Sequence, residues 1–148
     1  MRISVSSDMD EPVARRLVAE LRDRGHDVLT HGALRAGDDP QWAACSAAAA
    51  RDVADGTSEQ AVVCCWTGTG ASIAANKVPG ARAALCTDAY SADGARRWND
   101  ANVLALSLRL TSEPLLTEIL DAWFSGEPSE DADDRENMAR VLRMDEPS

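Results

Sequence analysis

Ala61-Val62-Val63-Cys64-Cys65-Trp66-Thr67-Gly68-Thr69-Gly70-Ala71-Ser72 decides the fold. Five apolar residues, too few for a helix and bounded at once by a glycine turn, predict a buried strand over residues 61–65, and the small residues beyond the turn open a short helix over 72–77. Outward from this unit the pattern repeats. A strand over 2–6 runs into Ser7-Asp8. Asp10-Glu11-Pro12 starts a helix whose apolar residues Val13, Leu17, Val18 and Leu21 recur at helical spacing, and Gly25 ends it. A second strand is expected over 26–30, a polar loop over 33–39, and an alanine-rich helix over 41–54 able to lie close to a sheet. After the Pro79-Gly80 turn come a strand over 82–86, a helix reaching Trp98, a fifth strand over 103–107, and a helix from Ser112-Pro114 to Phe124. An acidic connector over 126–134 leads to a last, weakly amphipathic helix over 135–144.

Strands alternating with helices at this spacing predict a three-layer, doubly wound α/β fold, with a five-stranded parallel sheet covered on both faces. At 148 residues the chain has the length of one such domain. Ligands of these folds sit at the carboxyl ends of the strands. Here those ends carry Asp8, Cys65 and the residues after it, Asp88, and Ser107 to Arg109.

Composition narrows the partners. A formal charge of −10 argues against nucleic acid and anionic membranes, which need a basic face, while leaving room for an anionic small molecule held by local arginines and helix starts. No apolar run approaches the ~20 residues of a membrane span, and the N-terminus reads as a strand rather than a signal peptide, so a cytoplasmic protein is expected. Cys45, Cys64, Cys65 and Cys86 lack the spacing of a zinc site, and no metal is expected. Cys64 and Cys65, adjacent on a strand, should point to opposite faces, which speaks against redox pairing between them.

The Cys65 segment carries the chemistry. A thiol at a strand end, a glycine turn and a helix start together present backbone N–H groups and the positive end of a helix dipole to an anion or a developing oxyanion. The same field favours a thiolate. Such a thiolate can serve as nucleophile or as carbon-acid base, and spacing alone does not choose. The turn lacks the G-x-G-x-x-G of a dinucleotide site and the Gly-Lys-Ser/Thr of a P-loop. A plain βα turn is the structural reading of the same residues. His26 and His31 are read as ordinary surface or turn residues.

Gly68-Thr69-Gly70-Ala71-Ser72-Ile73-Ala74-Ala75-Asn76-Lys77-Val78-Pro79-Gly80, Arg82-Ala83-Ala84-Leu85-Cys86 and Asn99-Asp100-Ala101-Asn102-Val103-Leu104-Ala105-Leu106 closely resemble the type B ribose-5-phosphate isomerases and the related galactose-6-phosphate isomerase subunits. The resemblance covers almost the whole chain. It implies an aldose–ketose isomerase acting on a sugar phosphate through a cis-enediolate, with Cys65 as the base and no metal or organic cofactor. It further implies that N–H groups around Gly68, Thr69, Gly70, Ala71 and Ser72 hold the enediolate, that Asp8 and Asn99 contact the sugar, and that Thr67 helps ring opening. Arg109 matches a family arginine at the fifth strand end. Arg135 and Arg140 are the nearest match to two phosphate-binding arginines, spaced one residue wider than the usual pair. The family's members are dimers or dimers of dimers, and the C-terminal helix, about 129–144, would pack on a partner subunit.

The chain departs from the family at the sugar. Met9 and Trp98 stand where histidines are usual, Asp39 where a tyrosine is usual, and Trp66 where a glycine is usual. Met9, Trp66 and Trp98 are therefore expected around a reshaped pocket. Methionine and tryptophan exchange no proton near neutral pH, so ring opening by histidine is lost. A catalytically weak or inactive sugar-phosphate-binding protein of the same fold is the competing expectation.

Overall fold

The structure is a computed structural model that describes residues 1–147. Five strands, β1 (Arg2–Ser7), β2 (Asp27–Gly32), β3 (Gln60–Cys65), β4 (Ala83–Leu85) and β5 (Val103–Ser107), form one sheet in the order β2-β1-β3-β5-β4, every pair parallel. Six helices intervene or follow: α1 (Pro12–Asp23), α2 (Trp42–Ala54), α3 (Thr69–Asn76), α4 (Ala89–Asn99), α5 (Glu113–Ser125) and α6 (Ala132–Arg143). This is the doubly wound α/β fold expected from the sequence. Among the described residues no helix is long and apolar enough to cross a membrane.

Side-chain alternation along the strands divides the core. Ile3, Val5, Val62, Cys64, Leu104 and Leu106 face α1, α4 and α5, where Leu17, Leu21, Leu116, Ile119, Leu120 and Trp123 complete a large apolar layer. Val63, Cys65, Val103 and Ala105 face the opposite way, against Ala49, Ala50, Ala71 and Ala75 of α2 and α3. The two adjacent cysteines thus lie on opposite faces, as a period of two requires. Alanines let α2 and α3 approach closely, so this second layer is thin. Its β1 side is polar: Ser4 Oγ donates to Asp52 Oδ2 at 2.6 Å and lies 2.8 Å from Ser58 Oγ. His31 Nε2 is 2.7 Å from the same Asp52 oxygen. The reading of His31 as a turn residue is corrected by this part-buried pair on β2.

Several boundaries move for local reasons. Helix α3 starts at Thr69 rather than Ser72, because Gly68 takes a left-handed φ of +76° and turns the chain within one residue. Helix α6 starts at Ala132 rather than Arg135, since the Asp131 side chain accepts the N–H groups of Asp133 and Asp134 and caps it early. Strand β4 is short and leaves Cys86 just outside it.

Strand β4 is also a sheet edge, where unpaired backbone groups are a liability. Asn76, the last residue of α3, covers two of them with its side chain: its Nδ2 donates to Ala83 O at 2.9 Å and its Oδ1 accepts from Ala83 N at 2.8 Å. Replacing Asn76 by Ala removes both bonds. Amide exchange of Ala83 should then accelerate by roughly tenfold while global stability falls by only about 1 kcal/mol, measurable by hydrogen exchange alongside urea denaturation; unchanged Ala83 protection would show that the edge is held otherwise.

Candidate active site

The sheet order reverses between β1 and β3. From β1 the chain moves outward to β2, then crosses back to lay β3 on the other side of β1, so the helices that follow the two strands diverge and leave a crevice at their carboxyl ends. Asp8 follows β1 and Cys65 ends β3. Both line a cavity of about 280 Å3 together with Trp42, Trp66, Thr67, Thr69 and Gly70.

The geometry around Cys65 is set by the turn. Its Sγ accepts the N–H of Ala71 at 3.4 Å, from the first turn of α3. Ser72 N–H already closes a helical bond to Gly68 O at 3.1 Å. Of the five residues expected to present N–H groups, Ala71 therefore serves the sulfur and Ser72 the helix. Gly68, Thr69 and Gly70 remain; Gly68 does not line the cavity, whereas Thr69 and Gly70, at a helix start where N–H groups have no partner within the helix, both do. Thr67 Oγ1 lies 2.7 Å from Thr69 Oγ1, which ties the turn across its mouth. On the far side, β5 locks the strand end: Leu108 N–H donates to Cys65 O at 2.9 Å, Arg109 N–H to Trp66 O at 3.0 Å, and Ser107 Oγ to the same Trp66 carbonyl at 2.9 Å.

Charges are distributed unevenly about the thiol. Burial raises the Asp8 carboxyl above the ordinary aspartate range, the backbone bond to its own N–H opposing in part. Asp8 Oδ1 is buried with no hydrogen-bond partner among the described residues, so an acceptor is free inside the crevice. Arg109 is exposed and makes no ion pair among the described residues. Burial pushes Cys45 up to about 11 and Cys86 up to about 12, and raises Cys64 as well. No group of histidine, cysteine and acidic residues able to hold a metal occurs among the described residues.

The remaining expected residues fall elsewhere. Trp98 and Asn99, at the end of α4, line a separate cavity of about 420 Å3 bounded by β4 and α6, with Arg82, Asn137, Met138 and Met144 among its walls. The Trp98 ring packs on Gly94, where an added Cβ would come within 2.8 Å of it, and meets Tyr90 edge-on at 6.1 Å. Met9 is exposed beside Asp8 and does not line the Cys65 cavity; its carbonyl accepts from Ser7 Oγ at 2.6 Å. Arg135 and Arg140 are exposed on α6, Arg140 lying 3.7 Å from Glu136. Asp39 is not in the cavity either: its Oδ1 accepts the N–H of Gln41 at 2.9 Å and leads the chain into α2. The aromatic group from this segment that does line the Cys65 cavity is Trp42, a residue not among those expected there. A tryptophan opening an alanine-rich helix stands out in the sequence, but nothing in that pattern says where its ring lies.

Comparison with known proteins identifies the family. The family described as Ribose/Galactose Isomerase matches residues 3–141. A ribose-5-phosphate isomerase B of Escherichia coli is 40% identical over 113 residues, covering 75% of this chain and 74% of that protein. A D-erythrulose-4-phosphate isomerase of Pectobacterium atrosepticum is 37% identical over 107 residues, covering 72% of this chain and 70% of that one. Among solved structures, the ribose-5-phosphate isomerase B of Clostridium thermocellum superposes with a TM-score of 0.87 at 32% identity, covering 97% of each chain. With a solved structure that superposes over 97% of the chain and a family match along nearly its full length, the chain belongs to the ribose/galactose isomerase family.

Proposed function

We propose that this family member interconverts an aldose phosphate and its ketose phosphate through a cis-enediolate, with Cys65 as the base. The observation that carries the reading is the Cys65 sulfur held 3.4 Å from the Ala71 N–H, at a helix start, in one cavity with Asp8, Thr67, Thr69 and Gly70. The thiolate takes the proton from the carbon beside the carbonyl. The electron pair left behind moves onto the carbonyl oxygen, and the N–H groups of Thr69 and Gly70 stabilise that charge; one such donor is typically worth about 3 kcal/mol. The Cys65 thiol then returns the proton to the neighbouring carbon, and the hydroxyl proton shifts between the two oxygens. Asp8 Oδ1 accepts from a sugar hydroxyl, and Arg109, exposed just after β5 and without an ion pair among the described residues, offers a cation for phosphate. Thr67 serves the substrate oxygens.

The substrate we favour is open-chain. A four-carbon sugar phosphorylated at its terminal oxygen cannot close a five-membered ring, so it needs no ring-opening acid, and Trp98 and Met9 supply none. The relative named D-erythrulose-4-phosphate isomerase, 37% identical, supports that choice. We further propose a homodimer in the cytoplasm whose sites are completed between subunits. Trp98 and Asn99 line a cavity apart from Cys65, so their part in the reaction is to the partner's thiol.

Three measurements test this reading. In deuterated solvent, wild-type protein should exchange the proton beside the carbonyl of a four-carbon sugar phosphate, Cys65→Ala should lose roughly 100- to 10,000-fold of that rate with its circular dichroism intact, and Cys45→Ala and Cys64→Ser should stay near wild type. Exchange persisting in Cys65→Ala removes the thiol from the mechanism; saturable binding without exchange in wild type makes the chain a sugar-phosphate-binding protein. Ribose 5-phosphate should turn over poorly, and Trp98→His should raise its turnover more than that of the four-carbon substrate; efficient wild-type use of ribose 5-phosphate contradicts the open-chain preference. Mixing inactive Cys65→Ala and Asn99→Ala subunits should restore about a quarter of wild-type activity, since half the dimers are then mixed and each holds one intact site. No recovery on mixing argues for sites complete within one chain.

A further inference from the structure

Two indoles, those of Trp42 and Trp66, bound the Cys65 cavity. Trp42, the first residue of α2, lies against Gly70: a Cβ added there would stand 2.9 Å from Trp42 Cε3 and 3.1 Å from Cδ2. Gly70 sits within α3, outside the positive-φ glycines. Its bare Cα therefore answers to the closeness of the ring and not to any demand of the backbone. The backbone of Trp66 is fixed from the sheet side, where its carbonyl accepts from both Ser107 Oγ and Arg109 N–H, so the point from which the indole springs is set. The two residues nonetheless remain 44% and 45% exposed. Large aromatic surfaces left half in water beside a reactive thiol gain most by covering a ligand that shows them C–H rather than hydroxyl groups.

We propose that Trp42 and Trp66 are specificity-determining residues, whose indoles confine the Cys65 site to short, extended sugar phosphates and exclude longer or cyclic ones. The identity of the ligand rests on the isomerase reading above; the restriction itself rests on the two rings that line the cavity. An extended four-carbon chain presents alternating C–H faces to flat walls. A furanose, or a six-carbon chain, needs one wall to move away; Gly70 and α3 stop Trp42 from yielding toward the helix, and the bonded carbonyl keeps the backbone of Trp66 in place. Discrimination of this steric kind reaches about 10- to 200-fold for a single carbon unit.

Calorimetric titration with phosphorylated sugar acids tests the restriction without turnover, their carboxylate standing in for the charge of the enediolate. The probes are 4-phosphoerythronate, 5-phosphoribonate and 6-phosphogluconate. In wild type the six-carbon ligand should bind at least about tenfold more weakly than the four-carbon one. In Trp66→Gly and Trp42→Ala that ratio should fall to within about threefold, while Trp66→Phe, which keeps a flat wall, should retain most of it. Circular dichroism confirms folding, and Trp66→Leu replaces the glycine variant if that one unfolds. A wild-type ratio near one, a ratio unchanged in both deletions, or no binding of any probe overturns the proposal. The expected ratios in a protein that fails to exchange deuterium would leave the indole restriction standing and remove only the isomerase reading.

Discussion

At Gly68 the chain leaves the central part of the sheet with φ of +76°, in a space where an added Cβ would meet Leu85 Cδ1 at 2.6 Å and the backbone of Leu106 and Ser107 at 2.9 Å. Both conformation and crowding require glycine there. Because the reversal takes one residue, α3 begins at once and its first turn arrives over the end of β3, bringing the Ala71 N–H to the Cys65 sulfur. The crowding has the same origin. Strand β5 lies hard against the turn, and its continuation donates to the carbonyls of Cys65 and Trp66. One residue thus governs how the sheet packs beyond β3 and how the thiol meets a helix start. A wider turn would keep the topology and lose the site.

Topology does the rest of the positioning. With β1 and β3 adjacent but their following segments leading to opposite layers, the crevice between them opens where Asp8 and Cys65 end their strands. What separates Cys65 from the other thiols is this place and not its chemistry as a residue. Cys64, one position earlier, faces the large apolar layer, and burial drives it away from ionisation, as it drives Cys45 and Cys86. A one-residue slip of β3 would exchange the two cysteines, but the parallel register with both β1 and β5 fixes it.

The layered fold was legible because its signals are local and redundant: alternating runs of buried residues, a proline in the first turn of α1, glycines after helices. The joining of Asp8, Cys65, Thr67, Thr69 and Gly70 was legible too, since strand carboxyl ends in such folds share one edge. Trp42 was not, because its approach to Gly70 depends on how α2 leans across the sheet, a matter of alanine packing far along the helix. Asp39 was misplaced for a related reason. A carboxylate two residues before Gln41 satisfies a helix-leading N–H, and that local bond outweighs any pull toward the pocket. The early starts of α3 and α6 each turn on one residue, Gly68 and Asp131, whose effect is conformational and leaves no mark on hydrophobic periodicity.

An acidic chain of net charge −10 that holds an anionic substrate needs its attraction to be short-ranged. At physiological ionic strength charges more than about 8 Å apart are largely screened, so the overall sign matters mainly for slowing encounter and little for the bound state. The groups within that range decide. The start of α3 contributes N–H groups and the positive end of its dipole; Arg109, exposed just after β5, makes no ion pair among the described residues. Against them stands Asp8, whose burial already disfavours its charge. A phosphate near Asp8 would press in the same direction, so the favourable arrangement puts the sugar hydroxyls at Asp8 and the phosphate away from it, along the side where β5 ends. In the proposed reaction that polarity would orient the substrate across Cys65, with the carbonyl end toward the N–H groups of α3, and it would follow from the signs of local groups without help from the rest of the surface.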